Sequence, residues 1–90
     1  MSKLPLAPAV ADTAPTDPNL TDYDRRHLAT YLRLLDADAE KADWREIAKI
    51  VLRIDPDRDC ARSALDSHLA RAKWMLAHGY GHLLRAGAGG

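Results

Sequence analysis

Cysteine is almost absent from this sequence of 90 residues, since Cys60 is the only one. A single cysteine forms no disulfide within its chain and builds no cysteine metal site. Long apolar runs are also missing: none approaches the length that crosses a bilayer, and the N-terminus lacks the apolar region of a signal peptide. We therefore expect a cytoplasmic protein with no membrane segment, no metal and no cofactor.

Net charge is absent as well, because 13 lysines and arginines balance 13 aspartates and glutamates. A domain that binds nucleic acid through phosphate contacts usually carries a clear basic excess. The neutral balance therefore argues against DNA as the main partner.

Apolar periodicity is missing from residues 1–19, which contain four of the five prolines. Such a segment buries too little surface to offset its chain entropy, so it is predicted to be a disordered arm. Residues 86–90 are predicted to be a flexible tail. The remaining residues, 20–85, make one small domain with no room for a deep substrate pocket, and no catalytic constellation is present. We therefore expect no enzyme.

Apolar side chains at helical spacing predict an all-α fold of three helices within residues 20–85. Thr21 can cap the first helix, Pro56 stops the second, and Gly79 can end the third. The predicted helices cover residues 21–36, 43–54 and 59–78, and a short helical turn covers 80–84.

Each predicted helix has one buried stripe. The three stripes are Leu28, Tyr31, Leu32 and Leu35; Trp44, Ile47, Ile50, Val51 and Ile54; and Ala61, Leu65, His68, Leu69, Ala72 and Leu76. Side chains away from the stripes are predicted to be exposed: Arg26, Thr30, Arg33 and Leu52.

The loop Asp55-Pro56-Asp57-Arg58-Asp59 separates the second and third helices. A connection this short makes the two helices lie close and cross, as in a helix-turn-helix. It is longer than the usual turn and is stiffened by proline. The sequence therefore predicts an extended-turn helix-turn-helix domain.

Six segments carry a more specific pattern: Leu20-Thr21-Asp22-Tyr23-Asp24, Asp43-Trp44-Arg45-Glu46-Ile47-Ala48, Ile54-Asp55-Pro56, the run HLARAKWM from His68 to Met75, Gly79-Tyr80, and His82-Leu83-Leu84. Together they resemble a proteobacterial family of extended-turn helix-turn-helix domains found in transcriptional regulators of mobile elements. The resemblance covers about residues 20–85.

The resemblance implies two alternative functions. In FseA-type activators the domain follows an N-terminal partner domain and binds promoter DNA through a basic face. In stand-alone QseM-type antiactivators it binds the activator's N-terminal domain and blocks quorum-sensing control of conjugative transfer genes on integrative and conjugative elements. No partner domain is recognisable before residue 20 and the charge is neutral. The sequence therefore favours the antiactivator, with an activator protein as its partner.

DNA binding by the third helix is the alternative, and it depends on Arg62, Ser63, Arg71 and Lys73. These are the donors that the helix offers to a duplex. Three carboxylates precede them and would face phosphate: Asp55, Asp57 and Asp59. A second basic edge is predicted on the second helix, where Arg45, Lys49 and Arg53 are spaced by four, although such an edge is equally typical of a solvated face.

Aromatic and apolar side chains beside the core stripes predict a docking surface for a protein partner, because tyrosine and tryptophan dominate interface hot spots. The candidates on the first helix are Tyr23, His27, Tyr31 and Leu34. The candidates near the C-terminus are Trp74, Tyr80, Leu83 and Leu84. The alternative is that the first group is the edge of the core, and that Tyr80, Leu83 and Leu84 cover Trp74 in a second cluster.

Overall fold

The computed structural model describes residues 10–84, which are helical with no strand. The helices are α1 (Asp22–Arg26), α2 (Leu28–Ala39), α3 (Trp44–Ile47), a π-helix (Ala48–Leu52) and α4 (Ala61–Ala77). A last helical turn covers residues 81–84. The all-α helix-turn-helix fold that the sequence predicts is therefore confirmed. No helix in residues 10–84 is both long and apolar enough to cross a membrane.

The first predicted helix is divided in two by His27, so the prediction of one continuous helix is wrong. The cap at Thr21 is confirmed: its hydroxyl accepts the Asp24 N–H at 3.2 Å, and the Asp24 carboxylate accepts the Thr21 N–H at 2.9 Å. His27 leaves the helical region, with φ −117° and ψ 24°. The break ends α1 about one turn after its cap. Asp24, which lies in that turn, is buried.

The π-helix reverses two predictions on the second helix. Ile50, expected in the buried stripe, is 65% exposed, whereas Leu52, expected at the surface, is 3% exposed. A π-helix joins residues five apart instead of four. Leu52 therefore lies over Ile47, five residues earlier, and both enter the core. The same change of register moves Ile50 out to solvent.

Arg53 ends the π-helix in the left-handed conformation, with φ 60° and ψ 39°. The Ile54 N–H then reaches back to the Ala48 carbonyl at 3.0 Å. Glycine or asparagine usually takes this position because a side chain there crowds the backbone. An arginine in its place indicates that packing of the helix, and not local preference, fixes this end.

The core lies between α2, the π-helix and α4. Its buried members are Tyr31, Leu34, Ile47, Leu52, Leu65, Ala72, Met75 and Leu84. His68 is buried on the predicted face of α4, but Leu76 at the end of that face is 45% exposed. Arg26 and Arg33 are exposed as predicted, whereas Thr30 is buried.

Residues 10–19 pack against α4 as an N-terminal strap, which corrects the prediction that the whole of 1–19 stays outside the core. Ala14 is 3% exposed, and its N–H donates to the Ser67 Oγ at 3.0 Å. Arg71 donates to the backbone carbonyls of Asp17 at 2.7 Å and Asn19 at 3.0 Å. Side chains of α4 thus satisfy backbone groups of a segment with few apolar residues. The rest of the predicted arm and the predicted tail at 86–90 lie outside the described residues.

Candidate nucleic-acid interface

The helix-turn-helix unit consists of α3 with the π-helix, the turn 53–60, and α4. Asp43 caps the start of α3, because its carboxylate accepts the Arg45 N–H at 3.2 Å. Asp55 orders the turn: its carboxylate accepts the Asp57 N–H at 2.9 Å, and its carbonyl accepts the Arg58 N–H at 3.1 Å. These bonds fix where α4 begins. The exposed face of α4 then carries Arg62, Ser63, Asp66, Ala70 and Lys73.

Three arginines near the turn are each matched with a carboxylate. The pairs are Arg45 with Asp57, Arg58 with Asp12 at 3.8 Å, and Arg62 with Asp66 at 3.3 Å. Every side chain in these pairs is about half or more exposed. Exposed pairs contribute at most about 1 kcal/mol each and weaken with salt. A phosphate can therefore replace any of these carboxylates at small cost.

Trp44 organises two of these arginines. The guanidinium carbons of Arg45 and Arg62 lie 5.4 and 5.0 Å from its ring centroid. Cation–π contacts of this kind hold a guanidinium over an aromatic face. Trp44 thus connects the start of α3 with the start of α4 and aligns an arginine from each. We predicted it only as a core residue; the one hint in the sequence is its neighbour Arg45.

Lys49 and Arg53 differ from these arginines. Both are exposed, and neither forms an ion pair within residues 10–84. They border an open groove of about 500 Å³ beside the turn. Two members of the predicted basic edge therefore remain available, whereas the third, Arg45, is paired.

Arg71 is not available to DNA, which corrects its prediction as a phosphate contact. It is 4% exposed and forms a bidentate ion pair with Asp24, with Nε–Oδ1 at 3.1 Å and Nη2–Oδ2 at 2.7 Å. The Tyr31 hydroxyl donates to the same carboxylate at 2.8 Å, and Trp74 lies 4.0 Å beneath the guanidinium. Arg71 connects the strap, α1 and α4, so its function is structural.

The pKa values of this cluster follow from its contacts. Burial by itself raises the pKa of Asp24, but hydrogen bonds from Arg71, Thr21 and Tyr31 outweigh burial and hold that pKa below its ordinary value. The hydrogen bond to Asp24 raises the pKa of Arg71. Burial, with the Asp24 contact second, raises the pKa of Tyr31. The pair is therefore fully ionised at neutral pH.

His68 extends this buried polar region along α4. Its Nδ1 lies 2.7 Å from the Ala64 carbonyl, which can only accept, so Nδ1 carries the proton. Nε2 then accepts the Tyr23 hydroxyl proton across 2.5 Å, and the Tyr23 oxygen accepts the Ala11 N–H at 2.9 Å. Burial lowers the pKa of His68 below its ordinary value of 6.5. The neutral ring is thus the form that holds the strap.

The predicted docking surface on the first helix is corrected, because most of it is buried. Tyr31 and Leu34 are 0% exposed, and His27 is 3% exposed. Tyr23 is partly exposed, with its ring stacked on that of His27 at 4.0 Å. These residues are the edge of the core, which was the alternative interpretation.

The C-terminal half of the predicted docking surface contains one buried residue and three partly exposed ones. Leu84 is 0% exposed, while Trp74, Tyr80 and Leu83 are partly exposed. The Trp74 ring stacks on His78 at 4.5 Å and lies 5.8 Å from Tyr80. The contact with Tyr80 agrees with the predicted cluster around Trp74, and His78, which was not predicted to join it, covers part of the ring.

The remaining DNA-binding candidates stay at the surface. Arg62 and Ser63 are exposed on the first turn of α4, and Lys73 is exposed three turns later, 3.3 Å from the Asp38 carboxylate. No group of three His, Cys, Asp or Glu side chains suited to a metal occurs in the described part of the chain. The surface of α4 is therefore mixed in character, with Arg62 and Lys73 as its exposed basic side chains.

A family model described as the DNA-binding domain of a T6SS transcription factor, RovC_DNA-bd, matches residues 4–85. The match includes the strap and every helix described above, and its description states DNA binding, not an activator protein. A search of curated proteins gave no match. The regulator class expected from the sequence is confirmed in this coarser form. The chain belongs to the RovC family of transcription factor DNA-binding domains.

Proposed function

We propose that this chain binds duplex DNA as the DNA-binding domain of a transcription regulator, with the start of α4 in the major groove. The observation that carries the proposal is the family match over residues 4–85. The helix-turn-helix geometry supports it, because the second helix of such a unit is the one that reads base edges. The family description mentions T6SS, so promoters of type VI secretion genes are the first targets to test.

The exposed residues divide between base and backbone contacts. Arg62 and Ser63 lie on the first turn of α4, from which helix-turn-helix side chains reach bases. Arg58 and Lys73 lie before and after them and suit phosphate contacts. To bind DNA, Arg58 must give up its ion pair with Asp12, and Arg62 must give up its ion pair with Asp66. We therefore expect weak non-specific binding and a large part of the affinity from the correct bases.

The test is selection of binding sites from a randomised duplex pool by the purified chain, followed by affinity measurements at several salt concentrations. We expect an enriched motif and a log–log salt slope of about −0.9 for each phosphate contacted. Arg62→Ala should lose about 1–3 kcal/mol of discrimination at one position of the motif. Arg33→Ala on α2, also an exposed arginine, is the matched control and should leave the motif and affinity unchanged. No enrichment at low salt would refute the proposal.

An antiactivator function is the second candidate, favoured by one specific observation. Arg45, Arg58 and Arg62 are each matched with a carboxylate, which leaves the face at the start of α4 nearly neutral. A neutral face that keeps the shape of a DNA-binding domain suits a protein that occupies an activator. In a promoter reporter, an antiactivator lowers expression only when its activator is present. A DNA-binding regulator acts through the selected motif and loses its effect with Arg62→Ala.

A further inference from the structure

The groove beside the turn contains Ile50, the most exposed large apolar side chain among residues 10–84. Ile50 is 65% exposed there, more than Leu76 at 45%. We define the Ile50 groove by its six lining residues: Lys49, Ile50, Arg53, Ile54, Asp55 and Pro56. Its volume is about 500 Å³, which is enough to hold one or two large side chains of another molecule.

Two unfavourable backbone features meet at this groove. The π-helix turns Ile50 outward, although an α-helix would place it in the core stripe. Arg53 is held in the left-handed conformation directly after it. π-Helical turns and left-handed non-glycine residues recur at functional sites, where other interactions maintain them. The exposure of Ile50 is therefore a property of the fold and not of a mobile side chain.

The charges around the groove indicate what would cover it. Lys49 and Arg53 border it, and neither has a recorded ion pair within residues 10–84. Asp55 is the one acid in the lining, and its carboxylate accepts the Asp57 N–H at 2.9 Å. The groove thus combines an apolar centre with a net basic border. A DNA backbone would complement the cations but would leave Ile50 without an apolar partner.

We propose that the Ile50 groove docks an acidic segment of a protein partner, whose large apolar side chain packs on Ile50 and whose carboxylates pair with Lys49 and Arg53. The proposal goes beyond DNA binding by α4 and does not depend on it. A regulator with this groove would contact DNA and a protein through two different helices of the same unit.

The test uses the full chain and a random short-peptide library displayed on phage, with peptides that also bind Ile50→Ser removed. We expect the enriched peptides to be acidic and to share one large apolar residue. Ile50→Ser should weaken binding of the best peptide about tenfold, the loss typical of an interface anchor. Amide shifts in a nitrogen-15 NMR titration should centre on Lys49, Ile50 and Arg53.

Two variants distinguish binding in the groove from non-specific hydrophobic binding. Leu76→Ser removes the other exposed apolar side chain and should leave peptide affinity unchanged. Arg53→Gly removes a border charge while suiting the left-handed backbone, and it should weaken binding severalfold without unfolding the chain.

Three results would overturn the proposal. The first is enrichment of basic peptides, and the second is the absence of any peptide whose binding depends on Ile50. The third is a selected DNA duplex that displaces the peptide and shifts the same three amides. The last result would assign the groove to the DNA backbone. Loss of peptide binding with intact DNA binding would leave the proposed function unaffected, and the reverse result would remove only that function.

Discussion

The two sides of α4 use charge in opposite ways. On the strap side, Arg71 and Asp24 are both buried, and each polar atom of their side chains has a hydrogen-bond partner. His68 is hydrogen-bonded to Tyr23 on the same side. On the turn side, Arg58 and Arg62 are mostly exposed and hold single carboxylates at 3.8 and 3.3 Å. A buried pair is costly to break, whereas an exposed pair is not. The buried charges therefore maintain the fold, whereas the exposed arginines can exchange their carboxylates for a ligand.

The largest effect should come from cutting the buried pair. Arg71→Met leaves the Asp24 carboxylate buried without its cation, and such changes cost about 3–5 kcal/mol. Arg62→Met on the turn side should cost less than about 1 kcal/mol. Urea unfolding followed by circular dichroism measures both. Equal losses for the two variants would erase the difference between the two sides of α4.

Leu52 and Ile50 provide the next comparison, within the π-helix itself. Leu52→Ala should cost about 2–5 kcal/mol, because Leu52 is 3% exposed, as other buried leucines cost. Ile50→Ala should change stability by no more than about 0.5 kcal/mol, since Ile50 faces solvent. The same unfolding experiment applies. The opposite order would show that this helix keeps the ordinary α-helical register.

The pH dependence of stability should separate His68 from the exposed histidines. The folded-state pKa of His68 lies below 6.5, so the unfolded chain binds more protons as the pH falls below 6.5. The free energy of unfolding should therefore decline from pH 6.5 downward. Asp24 should add a further decline below about pH 3.8, because its folded-state pKa is lowered.

The control for this pH profile is His82, which is exposed. His82→Gln should keep the decline that begins at pH 6.5, whereas His68→Asn should lower stability but flatten that part of the curve. A decline of the same size in both variants would refute the assignment to His68.

The smallest effect should be a gain. Arg53→Gly relieves the left-handed backbone at the end of the π-helix and should add up to about 1 kcal/mol of stability. Arg33→Gly, in the interior of α2, should lose about 1 kcal/mol, because glycine there is a poor helix former. Thermal melting shows both shifts. A loss at Arg53 comparable to that at Arg33 would contradict the left-handed assignment.

Apart from the break at His27, the approximate helix positions were predictable from the sequence, because they depend on local signals. The cap at Thr21, the apolar spacing of Tyr31 and Leu65, and the stop before Pro56 all act within a few residues. The π-helix was not predictable, because its register depends on how Leu52 fits the finished core. Periodicity alone assigns Ile50 to the stripe that Leu52 in fact joins.

The candidate site was less predictable than the fold. Arg71 looks like any surface arginine of a basic helix, and its partner Asp24 lies 47 residues away along the chain. The strap was missed for the same reason, since its backbone donates to Ser67 and accepts from Arg71, both more than fifty residues away along the chain. Arg62 and Ser63 were predictable, because the first turn of the last long helix is exposed in any helix-turn-helix.

The most direct test of DNA binding by α4 is an NMR titration of the chain with the duplex selected from the randomised pool. We expect amide shifts from Arg58 to Asp66, at the turn and the start of α4. Apart from Asp12, which pairs with Arg58, the strap amides of residues 10–19 should not shift. Shifts confined to the strap side, or none at duplex concentrations well above that of the chain, would contradict it.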